Sequence, residues 1–384
     1  VAAMHPYLTD HWHNPSSIYV EAQAARAAID RARATVARLI GAGESEVVFT
    51  SGGSESDNLA LRGVVAASTR RGRHVITSTV EHHAVLDTLE QMEREGTAEV
   101  TRLAPGPDGR IDPAAVEAAV RDDTVLVSLM HANNEVGAVT DIAEVSRRVK
   151  ARNPRAMVHT DAVQSAAHLG VHVDRLGVDL LTLTGHKLYG PRGAGVLYVR
   201  SGTPLQAQIL GGGQEERRRA GTEDTAAIVG LARAMEIGWA RRESDVTHER
   251  ALQQRLIEEL PRRIPMLAIT GPRDLAHRLP GNVSCCVGFV EGESILLALD
   301  LAGVAASSGS ACTTGSVEPS HVLVGMGVPE DLARGSLRFT LGRGNTEADV
   351  DRLLEVLPPI VQRLRALSPV PVTEPPAAWR PWLA

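Results

Sequence analysis

Three residues able to do covalent or proton chemistry stand out: Lys187 in Thr184-Gly185-His186-Lys187, Asp161 at the end of Met157-Val158-His159-Thr160-Asp161, and Cys312 in Ser307-Ser308-Gly309-Ser310-Ala311-Cys312. A lysine in a polar turn between two short apolar, β-prone runs has little water offered by its sequence neighbours and is able to condense with an aldehyde cofactor as a Schiff base. The alternative is a turn lysine that simply reaches solvent. Taken alone, Asp161 reads first as the N-cap of a following helix. Lys187 follows it by 26 residues, however, enough for one helix and one strand, so a single βα unit sets both on one rim. There a carboxylate can pair with a pyridinium nitrogen and keep it protonated. The stretch around Cys312 is small and polar almost throughout. It cannot bury enough apolar area to be rigid, which predicts a mobile loop at about 305–318 and an accessible thiol, unlike the usual buried cysteine. An incidental thiol is the alternative.

The surrounding elements must position these groups. Apolar spacing predicts a helix over 20–40, with Ser16 or Ser17 as its cap. A strand at 46–50 runs through Ser51-Gly52-Gly53-Ser54 into another helix, the arrangement of a phosphate cradle at a helix N-terminus. No Gly-Lys-Ser/Thr follows, so it is not a P-loop, and an ordinary turn capped by Ser54 is the alternative. A strand at 74–77 leads to His82-His83. Adjacent helical residues point about 100° apart and cannot jointly grip one ion. His82 over a ring or near a proton is the functional reading, and His83 reads as solvated. Strands at 125–130 and 157–161 end in Asn134 and Asp161. Repeated βα units imply a mostly parallel sheet with ligand sites beyond the carboxyl ends of its strands. A glycine-rich, charged loop at 211–222 precedes a long helix that bridges to an α+β second domain, in which strands at 282–287 and 336–341 flank a helix at 293–301. The Pro-rich tail from 368 reads as extended, with Trp379 and Trp382 able to dock.

Composition narrows the class. The chain has 384 residues, 43% of them hydrophobic and 22% charged, with a formal net charge of −6, which fits a two-domain globular protein and argues against a surface for nucleic acid. No apolar run is long enough for a membrane span and no signal peptide is recognisable at the start. Three cysteines, two of them the adjacent Cys285 and Cys286, form no disulfide framework, so a reducing, cytoplasmic setting is expected. No Cys/His spacing suits a metal.

Over nearly its whole length, from about 1 to 367, the chain resembles the cysteine desulfurases, pyridoxal-phosphate enzymes of the class V aminotransferase group. The motifs that carry the resemblance are SGGSESDN, EHHAV, NNEVG, DAVQ, TGHKLYGPRG, GGGQEERRRAGTED, SSGSACTTG and RFTLGR. The resemblance implies the α/β architecture of PLP-dependent transferase fold type I. A large domain (1–245) would hold a mostly parallel seven-stranded sheet flanked by helices, a smaller α+β domain (246–367) would carry the cysteine loop, and a Pro-rich tail (368–384) would follow. It further implies that Lys187 holds pyridoxal 5'-phosphate covalently, that His82 stacks on its ring, and that Asp161 and Gln164 meet the ring nitrogen and phenolic oxygen. Gly53, Ser54, Thr184 and His186 would cradle the phosphate, with Thr222 reaching in from a partner subunit of a homodimer. Asn134 and Arg338 would hold the carboxylate of L-cysteine, and Cys312 would be the nucleophile that takes up sulfur as a persulfide for an acceptor protein. The long SSGSACTTG segment matches the NifS/IscS-like branch. Iron–sulfur assembly, tRNA thiolation and DNA phosphorothioation all start from such a persulfide.

Ser54 and Thr184 stand where the family usually has Thr and Ser, and both keep the hydroxyl. The family's opening strand, of the YLDNAATT type, does not precede Val1, so a truncated or partly recorded form is expected. The competing enzyme readings are a selenocysteine lyase or another fold type I enzyme, and Cys312 separates these, since transamination has no use for it. A non-catalytic sulfur-relay or scaffold protein is the competing reading from another class.

Overall fold

The computed structural model describes residues 1–309, 318–367 and 374–383. They form two compact units. The first comprises 1–103, 112–131 and 141–242, and the second 104–111, 132–140 and 243–384.

Short runs of β-branched and apolar residues make the seven strands of the first unit: β1 (Val47–Thr50), β2 (His74–Ser78), β3 (Glu99–Leu103), β4 (Thr124–Ser128), β5 (Met157–Asp161), β6 (Leu180–Thr184) and β7 (Gly195–Val199). All but the edge strand β3 are buried nearly throughout, as expected when helices cover both faces of a sheet. The order is β1-β7-β6-β5-β4-β2-β3. Pairing is parallel from β3 to β6 and antiparallel where β7 meets β6 and β1. The turn between β6 and β7 has no room for the helical crossover that a parallel return needs. Val48, Leu61, Val64, Leu126, Leu180 and Leu197 share one apolar cluster of this unit.

The helix Val20–Ile40 forms where expected, but neither Ser16 nor Ser17 caps it. Tyr19 is the N-cap residue and supplies no side-chain bond. Asn14 Oδ1 instead accepts the Ser16 amide at 2.9 Å, a turn completed before the helix begins.

In the second unit β8 (Leu267–Thr270), β9 (Asn282–Val287) and β10 (Ser336–Thr340) form an antiparallel sheet in the order β10-β9-β8. The helices Gly292–Leu301 and Glu347–Leu367 pack on it, sharing a core with Leu252, Ile269, Leu337 and Leu354. Cys285 and Cys286 lie side by side in β9 with both side chains buried. Burial pushes the Cys285 thiol up to about 12 and Cys286 well above its ordinary value, so neither is a ready thiolate.

The glycine-rich loop holds an unusual turn: Glu215, Glu216 and Arg217 all have left-handed φ values, 47°, 55° and 63°. Each such residue costs about 1–2 kcal/mol, so other contacts must impose the turn. Glu215 supplies them. Its carboxylate takes Arg33 Nη2 at 2.6 Å, Arg33 Nη1 at 2.8 Å and the Phe49 amide at 2.9 Å, with the Glu215 side chain only 1% exposed. Removing one partner of such a pair leaves a charge buried without compensation, at a cost of roughly 3–5 kcal/mol. Arg33→Met is therefore expected to lower unfolding free energy in urea by about that amount, and Arg33→Met combined with Glu215→Leu to recover most of it. A loss under about 1 kcal/mol for the single change would contradict the buried-pair account.

Candidate active site

Strands β1, β5 and β6 end on one rim, and their last residues lead into the chemistry. Helix Gly53–Ala67 starts almost directly from β1 with Gly52 as N-cap, so Ser54 is not its cap. A Cβ on Gly53 would lie 2.9 Å from Val163 Cγ2 and 3.9 Å from Thr184 Cβ. The contact with Val163 is too short for a side chain, so glycine lets the first turn approach the chain just past β5 this closely, while Thr184 is at ordinary contact distance. The open amides of a 15-residue helix thus lie beside the Thr184 hydroxyl, which bonds His186 Nδ1 at 3.1 Å. That is an anion-binding arrangement. The glycine-rich loop is tied to it: Arg219 Nε reaches Glu55 Oε1 at 2.8 Å, and Glu55 Oε2 accepts the Ser51 amide at 2.8 Å.

Asp161 closes β5 at 7% exposure. Its Oδ1 accepts the Val163 amide at 2.8 Å. Burial pushes its carboxyl up to about 6, while the Val163 amide and the positive charge of Lys187 pull it back. Lys187 itself sits in the turn Gly185–Lys187 and is exposed, contrary to the expectation of a lysine poorly supplied with water. Gly185 and Leu188 are the buried members of this turn, and Gly185 O accepts the amides of Leu188 and Gly190, both at 2.9 Å. The side chains of His186 and Lys187 are consequently lifted off the end of β6. Burial and the charges of Lys187 and Arg192 hold His186 below the ordinary histidine value, which keeps its ring neutral.

His82 is the N-cap of helix His83–Arg94, its Nδ1 accepting the Ala84 amide at 3.1 Å. His83 is half-exposed and meets Asp87 at 3.0 Å. Gln164, half-buried, lies three residues past Asp161, and Thr222 is exposed in its loop. Asn134 and Arg338 come together in the second unit, where Arg338 Nη1 donates to the backbone carbonyl of Asn134 at 3.0 Å. Among the described residues, Arg338 Nε is buried without a hydrogen-bond partner. Cys312 lies outside the described residues. Among the described residues, no cluster of His, Cys, Asp and Glu suits a metal ion and no helix is long and apolar enough to cross a membrane.

Sequence reasoning missed what lies beneath Asp161. His159, two residues back on the same face of β5, is fully buried between Ser128 Oγ at 2.9 Å and Thr182 Oγ1 at 3.0 Å, with Asp57 Oδ1 3.7 Å away. Asp57 and Glu81 are each 1% exposed. Glu81 accepts Ser78 Oγ at 2.5 Å and the Met130 amide at 2.8 Å. Burial, then the charge of Asp161, raises Asp57 well above the carboxylate range, and burial pushes Glu81 up to about 8 despite its hydrogen bond from Ser78. Burial alone drives His159 down to about 3. Three carboxyls in one dry region cannot all ionise, and Asp161 is the one that carries charge at neutral pH. One signal was available: Asp57 falls on the apolar stripe of its helix, with Leu61 and Val64.

These shifts set a pH dependence. Glu81 keeps its proton in the fold up to about pH 8, whereas its ordinary value is 4.5, so this contribution to stability is complete below the lower value and is lost as pH rises to the higher one. His131 and His159, depressed by burial to about 4 and about 3, act in the opposite sense and below the ordinary 6.5. The span from 6.5 to 8 therefore isolates the carboxyls. In the cofactor-free chain, stability is expected to fall across that span by up to about 1.4 kcal/mol per pH unit for each carboxyl still protonated, and Glu81→Gln to show a shallower fall. Equal slopes in the two chains would contradict the assignment.

The residues of the first unit fit pyridoxal phosphate: a glycine-lined helix start for a phosphate, a buried carboxylate for a ring nitrogen and a lysine whose charge acts on that carboxylate. The comparisons agree. The family model described as Aminotransferase class-V matches residues 1–353. A protein of Dictyoglomus turgidum named cysteine desulfurase IscS is 46% identical over 367 residues, covering 96% of this chain and 92% of that one. A solved NifS-like protein superposes with a TM-score of 0.88 at 33% identity, covering 94% of this chain and 95% of that one. A structure titled SspA in complex with cysteine gives 0.76 at 35% identity, covering 88% and 94%. The chain is a member of the class V aminotransferase family and, within it, of the pyridoxal-phosphate-dependent cysteine desulfurases.

Proposed function

We propose that this enzyme takes sulfur from L-cysteine, releases L-alanine and passes the sulfur to an acceptor protein from a persulfide on Cys312. The observation that carries the reading is the buried Asp161 carboxylate at the rim, acted on by the charge of Lys187 beside the glycine-lined start of helix Gly53–Ala67. Bound pyridoxal phosphate supplies an electron sink that weakens the bonds at the substrate's α-carbon. In this reading residues 1–245 hold the cofactor and 246–367 carry the cysteine loop. Gly53, Ser54, Thr184 and His186 bind the phosphate, Asp161 holds a proton on the ring nitrogen, Gln164 meets the phenolic oxygen and His82 covers the ring. Lys187 Nζ is the covalent anchor. Its amine, when not so engaged, would take up and return a proton at the substrate, a task it would share with His82. Arg338 retains a buried Nε donor without a partner among the described residues, and a guanidinium fork beside Asn134 suits the substrate carboxylate.

Cys312 Sγ, as the thiolate, attacks the substrate sulfur. The carbon–sulfur bond breaks, the new sulfur–sulfur bond leaves a persulfide on Cys312, and the remaining three-carbon amino acid gains a proton and departs as alanine. A homodimer is part of the reading. Leu8, Trp12, Ile18, Val20 and Leu210 are exposed apolar residues of the first unit, a surface suited to a second copy, and exposed Thr222 would reach the partner's phosphate.

Cys312→Ala is expected to keep the cofactor's absorbance and lose sulfide release from cysteine in the presence of thiol. Lys187→Ala is expected to lose the cofactor–protein adduct that borohydride traps. Undiminished alanine formation by Cys312→Ala without added thiol would overturn the assigned nucleophile, and a trapped adduct on Lys187→Ala would overturn the anchor.

A further inference from the structure

The C-terminal segment packs on the second unit through the short helix Arg380–Leu383, which lies against β8, and through one deeply buried side chain just before it. Trp379 is 2% exposed, whereas its neighbours Ala377, Ala378 and Arg380 are exposed. Its ring lies 4.8 Å from that of Phe289 at an interplanar angle of 52°, and its Nε1 donates to Asp331 Oδ1 at 3.1 Å. A Cβ on Gly288 would come within 2.4 Å of the indole, so glycine is needed for so close an approach. Phe289 has a φ of +64°, a conformation that is costly for a bulky residue and persists only where its surroundings impose it. They do so here: Gly288 donates its amide to Met266 O at 3.0 Å, and Arg365 donates to Gly288 O at 2.8 Å and to Pro265 O at 2.9 Å.

We propose that Gly288, Phe289 and Asp331 form an indole socket whose resident ligand is the chain's own C-terminal segment, anchored by Trp379 and exchangeable as a peptide. The chemistry matches a peptide site whose principal anchor is an indole. An indole offers a large rigid apolar face and one donor, and the socket supplies an aromatic ring, a flat floor with no side chain and one carboxylate acceptor. Pro375 and Pro376 stand just before the anchor; they restrict the backbone and reduce the entropy lost when the segment docks. The segment is tethered, so it acts at a high effective concentration and holds the socket against peptides in solution. The site has no part in the desulfurase reading and stands or falls separately from it.

The test uses the full chain carrying Trp379→Ala and a fluorescently labelled peptide of residues 374–383, followed by anisotropy. Saturable binding is expected at least about tenfold tighter than to the unsubstituted chain, in which the tethered segment competes. Binding should vanish when Trp379 in the peptide is replaced by Ala while Trp382 is kept. Equal binding to both chains, no binding to a folded Trp379→Ala chain, or full binding of the substituted peptide would each overturn the socket. Should Trp379→Ala fail to fold, Trp379→Phe replaces it. That change fills the floor but removes the Nε1 donor, so the tether competes less well. The peptide must then bind at least about threefold tighter than to the unsubstituted chain, and equal binding overturns the proposal.

Discussion

Burying several carboxyls together is unfavourable unless most of them stay neutral, and the centre of the first unit is built on that constraint. Asp57, Glu81 and Asp161 are all buried, each from a different element: a helix, a turn after β2 and the end of β5. The two deeper carboxyls keep their protons, His159 stays neutral, and the hydroxyls of Ser78, Ser128 and Thr182 join the network. What remains is one negative charge at the rim. In the proposed function, that charge is the fixed carboxylate which a protonated ring nitrogen needs.

The rest of the first unit keeps that charge in register with its partners. Gly53 lets the start of its helix press against the turn after β5, so that the open amides of the helix lie close to the end of the strand that carries Asp161. The antiparallel return of β7 fixes both ends of the Lys187 turn, since Thr184 pairs with Gly195. The buried Arg33–Glu215 pair imposes the left-handed turn in the glycine-rich loop, and Arg219 joins that loop to Glu55 in the first turn of the helix. Loop, helix and strand ends are therefore one connected construction.

Much of this was legible in the sequence because buried parallel strands are short apolar runs, and the polar residue ending each run marks the ligand rim. Asp161 was readable for that reason, and the glycine pair at 52–53 from its place between a strand and a helix start. Asp57 was hidden, since a polar residue near a helix start reads as solvated unless its place on the apolar stripe is noticed. The exposure of Lys187 was hidden too, because it depends on Gly185 and Leu188 being the buried members of the turn. The membership of 104–111 and 132–140 in the second unit rests on distant partners: Asn282 Nδ2 donates to Glu135 O at 3.0 Å and Arg278 Nη2 to Val136 O at 3.2 Å. No local pattern announces such pairs. The indole socket depends equally on residues far apart in the chain, Gly288 and Asp331 meeting Trp379.

In the proposed function Asp161 carries the single charge of the buried cluster and holds a proton on the cofactor's ring nitrogen. Nuclear magnetic resonance of the holoenzyme loaded with pyridoxal phosphate labelled with nitrogen-15 reads that proton directly. A protonated ring nitrogen is expected in the unsubstituted chain and in Asp57→Asn, and an unprotonated one in Asp161→Ala. A ring nitrogen that stays protonated in Asp161→Ala would contradict that role.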